Sequence, residues 1–279
     1  MKKKRNKTDN GRYMNLLVDF AFKKILGENK MLLIDFLNVV IQKEEKIETI
    51  EYLLPEQMTK WKEDRRAVFE IYCKNTQGER FIIELQIAQQ NHFMERLLFY
   101  LTFPIQSGIK KGAKTFAMTP LYCIAILDFS FFDDASWFNH ISLIREETQE
   151  KVTDKLHIIL IELPKFDKQL TELETRFDQW LYCFKHLRTM DNRPDEWTDR
   201  IFDELFEIAQ KDNLTPEEMA TYKKSVLEYD DVRSAMLFNR EKGLEEGLQK
   251  GREETILQIA NALNIPIKDL AKLIAYDKE

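Results

Sequence analysis

The sequence is poor in the residues from which clusters, staples and linkers are made. Its three cysteines, Cys73, Cys123 and Cys183, stand far apart and form no CxxC pair. That spacing excludes a cysteine zinc site and a disulfide framework, and it reads as three buried, reduced thiols. Eight glycines and seven prolines in 279 residues leave little room for low-complexity linkers, so disorder is expected only towards the ends. The four histidines, His92, His140, His157 and His186, fall in different elements with no i, i+4 pairing, and no histidine metal site is expected. His92 reads as the start of a helix, with a phosphate or general-acid role as the alternative.

Long apolar runs are missing too. The longest, Leu121 to Leu127 and Ile158 to Leu163, fall far short of the roughly 20 residues that span a bilayer, so no membrane partner is expected. The opening Met-Lys-Lys-Lys-Arg-Asn-Lys leads into Thr8, Asp9, Asn10 and Gly11 rather than the apolar stretch of a secretory signal. The expectation is a cytoplasmic protein. Net positive charge is absent: the balance is −6, which argues against nucleic-acid binding over the whole surface, because phosphate neutralisation supplies most non-specific affinity. Positive charge can still be local, at Lys110, Lys111 and Lys114 and in the Lys2 to Lys7 arm, although a short charged arm also reads as a solvated tail. Neither a zinc finger nor a DNA-reading helix motif is present.

What is there is ordinary globular chemistry, 44% hydrophobic and 32% charged residues. Leu16, Leu17, Phe20 and Ile25, and then Leu32, Leu33, Phe36, Leu37 and Val40, recur at three- and four-residue spacing and predict two short helices. A β-branched stretch from Ile47 to Leu54, stopped by Pro55, predicts a strand. Ala67 to Lys74 alternates, Asn75-Thr76-Gln77-Gly78 supplies turn residues, and Phe81 to Ala88 follows, which predicts a hairpin. Next come a helix from Phe93 to Lys111 perturbed by Pro104, a strand at Tyr122 to Phe129, and strands at His140 to Arg145 and Leu156 to Leu163. From Asp167 the chain turns helical, with a boundary near Pro164. Phe177, Trp180 and Phe184 share one helical face and read as core rather than a base-stacking platform. Thr215-Pro216-Glu217-Glu218 is a capping signal for a later helix.

The hairpin carries the candidate chemistry. Glu70 lies on its first strand, and alternation puts Glu84 and Gln86 on one face of the second. Hydrolysis of phosphodiesters with Mg²⁺ needs a few hard carboxylate oxygens and a polar group beside the attacking water, and acid, one residue, then a polar side chain matches that need. An isolated E-x-Q on a strand is otherwise a solvated face.

Three stretches carry a resemblance: Asn15-Leu-Leu-Val-Asp-Phe-Ala-Phe-Lys-Lys-Ile-Leu-Gly27, Glu63-Asp-Arg-Arg-Ala-Val-Phe-Glu-Ile-Tyr-Cys73, and Gly78-Glu-Arg-Phe-Ile-Ile-Glu-Leu-Gln86. Weaker echoes run through Leu127 to Phe129 and Glu162 to Phe166. Together they resemble the PD-(D/E)XK nucleases, in the branch of recombination-promoting nucleases and transposases. The resemblance implies an α/β fold, a restriction-endonuclease-like mixed sheet flanked by helices, followed by an all-α C-terminal region. With the boundaries read from the residues, the expected division is a basic arm over 1–14, a nuclease-like domain over 15–165, a helical region over 166–239 and a charged, glycine-bearing helical tail over 240–279.

The resemblance also implies Mg²⁺ or Mn²⁺ as cofactor, held by Glu70 and Glu84, with DNA as the partner. Gln86 stands where many relatives carry Lys, and Asp19 matches an acidic position on the first helix. Glu70 departs from the Asp usual in this branch. Its extra methylene shifts the ion or calls for compensation by the backbone. Asp64, six residues earlier, is the substitute carboxylate if a bulge bends the strand. Gln86 lacks a charge but can orient a water or bond the scissile phosphate.

Two readings stay open, a metal-dependent DNA endonuclease of recombination or transposition, and a weakened nuclease fold that binds DNA or protein. A third, an oligomerising scaffold, rests on the helical half. There Gly243, Gly247 and Gly251 smooth one helical face, either for pairing of two copies through the C-terminal helices or as part of a frayed tail.

Overall fold

The computed structural model describes residues 11–53, 69–108 and 115–267. The expected Lys2 to Lys7 arm, Asp64, and the lysines at 110, 111 and 114 lie outside them. The chain divides into two compact units, Met1–Tyr229 and Asp230–Glu279.

The first unit is built on one mixed six-stranded sheet. Its strands are β1 (Ile50–Tyr52), β2 (Ile71–Asn75), β3 (Arg80–Gln86), β4 (Leu121–Leu127), β5 (Phe138–Ile141) and β6 (Leu156–Glu162), in the order β1-β2-β3-β4-β6-β5. The pairs β1–β2, β2–β3 and β5–β6 are antiparallel, whereas β3–β4 and β4–β6 are parallel. Every residue of β4 is buried, as a parallel strand covered on both faces must be, and this is why it reads as an unbroken apolar run.

The β2–β3 turn forms where expected. Asn75 accepts from the Gly78 and Glu79 backbone, and Gly78 takes φ +81, a left-handed conformation that its missing side chain makes cheap. The strand expected at His140 to Arg145 instead spans Phe138–Ile141. Register explains the shift: Phe138 and Ile141 pair with Ile161 and Ile158, while Leu143 and Ile144 stand exposed beyond the sheet.

Helices cover both faces. On one, α1 (Asp19–Phe22) runs into a π-helical turn, Lys23–Gly27, before α2 (Lys30–Ile41). Asn29 caps α2 by accepting from the Leu32 N–H at 3.0 Å, and Leu32, Leu33, Phe36, Leu37 and Val40 are all buried. Against them pack α4 (Arg176–His186) and α5 (Arg200–Ala209), whose Trp180, Phe184 and Phe202 join Phe36 in an aromatic core. The other face is covered by α3 (Phe93–Gly108), through Phe93, Leu97 and Leu101. Pro104 sits inside α3 without ending it, and its carbonyl accepts from Arg80 of β3.

The chain start is tied in by Met14, whose N–H donates to the Ala209 carbonyl at 2.8 Å. The last helix, α6 (Pro216–Leu263), opens with the expected capping pair, Thr215 and Glu218, each bonding the other's backbone N–H. Its Tyr222 and Tyr229 are buried, and Tyr229 donates to Asp128 at 2.8 Å. In the second unit Leu237, Leu244 and Leu248 are exposed, and nothing lies within 4 Å of where a side chain at Gly243, Gly247 or Gly251 would begin.

The three cysteines are free and buried, as expected. The histidines are not all scattered: His140 and His157 face each other at 3.0 Å across β5–β6, and His157 stacks on Tyr122. Strand pairing brings together residues that helical spacing rules cannot see. Among the described residues no helix is long and apolar enough to cross a membrane.

Trp180 is fully buried and its indole N–H donates to the Asp35 carboxylate at 2.7 Å. Trp180→Ala opens a cavity and removes a donor from a half-buried carboxylate, and it is expected to cost about 3–5 kcal/mol. The check is the midpoint of urea unfolding; a loss under 1 kcal/mol would show that this aromatic cluster is not the centre of the core.

Candidate functional site

One end of the sheet gathers most of the titratable groups that the sequence pointed to. The β2–β3 register pairs Ile71 with Ile83, so the next rung sets Glu70 across from Glu84. Glu70 was expected inside a strand; it lies on a bend one residue before β2. The bend lets its carboxylate turn along the sheet, where Oε2 accepts from the Leu85 N–H at 2.9 Å. Glu84 is 6% exposed, and its Oε1 has no hydrogen-bond partner among the described residues. Such an orphan is uncommon for a buried carboxylate and asks for an explanation.

The neighbours come from three elements. Gln86, two residues along β3 on the same face as Glu84, is half-buried, and its Oε1 accepts from Arg96 Nη2 at 2.8 Å. Arg96 belongs to the first turn of α3 and also donates to Gln90. Glu84, Gln86 and Arg96 line a crevice walled by Phe69, Leu97 and Tyr100, with about 10 Å³ of free space, close to what one water needs. From the opposite layer, Asp19 opens α1 and pairs with Lys23 at 2.5 Å. Asp19 raises, and Lys23 lowers, the proton affinity of Glu70, and Lys23 also acts on Glu84.

Burial dominates the electrostatics. It pushes the Glu70 carboxyl up to about 9, reinforced by the like charge of Glu84 and opposed by the Leu85 N–H. It pushes Glu84 up to about 7, opposed by the Glu70 backbone N–H, the charges of Arg96 and Lys23, and the Gln86 amide. Two facing carboxylates with this little solvent resist being ionised together, and added positive charge would relieve them.

The donor set fits a hard divalent cation: carboxylate oxygens from Glu70 and Glu84, one of them without a partner among the described residues, in a place where burial disfavours charge. Among the described residues no group of three or more His, Cys, Asp or Glu could hold a metal. The remaining ligands would therefore be water or substrate oxygens, which Mg²⁺ keeps readily.

The structure thus brings Glu70, Glu84 and Gln86 together, with Asp19 near enough to act by its charge, while Asp64 lies outside the described residues. The motifs gave no warning of Lys23 and Arg96. Lys23 follows Asp19 by four residues on one helical face, a spacing that signals a pair. Arg96 follows Gln86 by ten residues across a loop, and no periodicity connects them.

A family model described as PD-(D/E)XK nuclease family transposase matches residues 16–237. No curated protein and no solved structure matches.

Stability should carry the signature of the two glutamates. Both carboxyls are raised above their unfolded value, so their contribution is fully present below about pH 4.5 and is lost as pH rises through about 7 and then 9. The metal-free protein is expected to melt at falling temperature across that window, and Glu84→Gln to flatten the fall and melt higher than the parent at pH 8. Thermal unfolding in EDTA at several pH values checks this; identical pH profiles for parent and variant would contradict the burial argument.

Proposed function

The chain belongs to the PD-(D/E)XK nuclease family transposases, and on that premise we propose that it is a metal-dependent DNA endonuclease acting in recombination or transposition. The observation that carries this reading is the buried Glu84 Oε1, which has no hydrogen-bond partner among the described residues, across the strand pair from Glu70 and lining a water-sized crevice. A carboxylate oxygen held dry and without a donor suits a cation ligand better than a structural role.

Glu70 and Glu84 are the metal ligands in this proposal. Bound Mg²⁺ or Mn²⁺ would supply Lewis-acid polarisation of the phosphodiester and a lowered pKa for water. Glu70 keeps Oε2 on the Leu85 N–H, which fixes the longer side chain and, in this proposal, leaves its other oxygen for the ion. This is the backbone compensation that a glutamate in place of aspartate calls for. Gln86 orients the attacking water, or the phosphate, through its amide. Asp19 holds Lys23 near the pair.

A second reading is favoured by the same hydrogen bond. Glu70 is already engaged and, without a cation, is protonated at neutral pH, as suits a nuclease fold that binds DNA or protein without cutting. One assay separates the two. Purified protein is incubated with supercoiled plasmid and Mg²⁺ or Mn²⁺, in parallel with Glu84→Ala and with EDTA. Catalysis predicts nicking that needs the ion and falls by on the order of 100-fold or more in the variant. DNA binding without nicking by either protein would retire the endonuclease reading in favour of the second.

A further inference from the structure

Arg96 has only donors, so the end of the Gln86 amide that it meets, 2.8 Å from Nη2, must be the oxygen. A second arm of the same guanidinium donates to the Gln90 side chain, and the chain of α3 begins three residues earlier at Phe93, whose ring lies 5.9 Å from the guanidinium carbon. Arg96 is therefore held at two points and over a ring, in the geometry that a planar fork allows and a lysine does not. Its grip settles a choice that Gln86 cannot make alone. A glutamine side chain can present either an acceptor or two donors, and rotation about its last bond exchanges them.

We propose that Arg96 is a positioning residue of the site: by occupying the Gln86 oxygen it turns the Gln86 NH₂ group towards Glu84 and the crevice. The inference rests on the endonuclease reading for its functional consequence, but its geometry stands independently of that reading. Gln86 then acts as a donor. It can bond the oxygen of a water or of a phosphate, and it cannot accept a proton from either. Donation from Gln86 towards Glu84 is consistent with this orientation. Arg96 itself need not touch the substrate.

The experiment uses the full chain and two readouts. The first is ¹⁵N–¹H NMR of the Gln86 side-chain amide in metal-free protein, assigned through Gln86→Leu. The expected amide pair is shifted away from that of a free glutamine, and it collapses to the free position in Arg96→Met. The second is nicking by the parent, Arg96→Met, Arg96→Lys, Gln86→Leu and the double variant. Arg96→Met is expected to lower kcat by about 10–100-fold with KM for DNA changed by less than about threefold. Gln86→Leu is expected to match it, the double variant to fall no further than either single, and Arg96→Lys to recover only part of the loss.

Arg96 is half-buried on the helix surface, and Arg96→Lys provides a folded control should Arg96→Met unfold. A Gln86 amide that is free in the parent, or unmoved in both Arg96 variants, overturns the inference whatever the activity. So do losses that simply multiply in the double variant. If the amide is fixed by Arg96 and no protein nicks DNA, the endonuclease reading fails and the positioning by Arg96 stands.

Discussion

Two carboxylates facing each other at a dry end of a sheet are the constraint around which the rest is arranged. A lone ionised glutamate in such a place is costly, and a pair of them costs more because each raises the other. Glu70 and Glu84 are both held above the ordinary carboxylate range, chiefly by burial. The protein offsets this only in part. A backbone N–H serves each carboxylate from the facing strand, and two side-chain cations, Lys23 and Arg96, act from opposite layers. Among the described residues, one oxygen of Glu84 has no hydrogen-bond partner.

That tension can persist because the sheet around it cannot relax. β4 is buried along its whole length, in parallel register with β3 from Arg80 to Gln86 and with β6 from Leu156 to Glu162. A slip of one residue in β3 would send Glu84 and Gln86 to the face occupied by Ile83 and Leu85, which belong to the main core. The Asn75–Gly78 turn fixes the other end of the same strand. Register, more than any single contact, keeps the two glutamates opposed, and the hydrophobic core supplies the free energy that tolerates them.

The sequence disclosed this arrangement unevenly, for physical reasons. Alternation is a local signal, so the shared face of Glu84 and Gln86 was legible, and so was the Asn75 to Gly78 turn, whose residue types match its backbone demands. The apolar run of β4 and the periodicity of Leu32 to Val40 were legible for the same reason. The π-helical turn at Lys23–Gly27 was not, because the same residues read as ordinary helix and only packing against the sheet distinguishes the two. Nor was the bend at Glu70, which depends on where its carboxylate finds the Leu85 N–H. His140 and His157 met through strand order, and Arg96 met Gln86 through the packing of a helix on a sheet; both are long-range facts that no window of sequence contains.

The overall acidity of the chain, a net −6, is less of an obstacle to a nuclease than it first looks, once charge is counted where it matters. Among the described residues, Asp19 and Glu84 act on Glu70 at this end of the sheet, and on the proposed reading a bound phosphodiester would bring a fourth negative charge. Lys23 and Arg96 supply two positive ones. Two other cations among the described residues are engaged elsewhere: Lys24 pairs with Glu218, and Arg80 bonds the Pro104 carbonyl and Ser107. Among the described residues the deficit would be two charges with both glutamates ionised, which is what one divalent cation carries. Without it, protons are the ready substitute, and burial above all holds them on both carboxyls beyond the ordinary range. On the proposed reading, a bound cation would couple ligand ionisation to neutralisation, because metal ligation needs the deprotonated oxygens that the metal's own charge would stabilise.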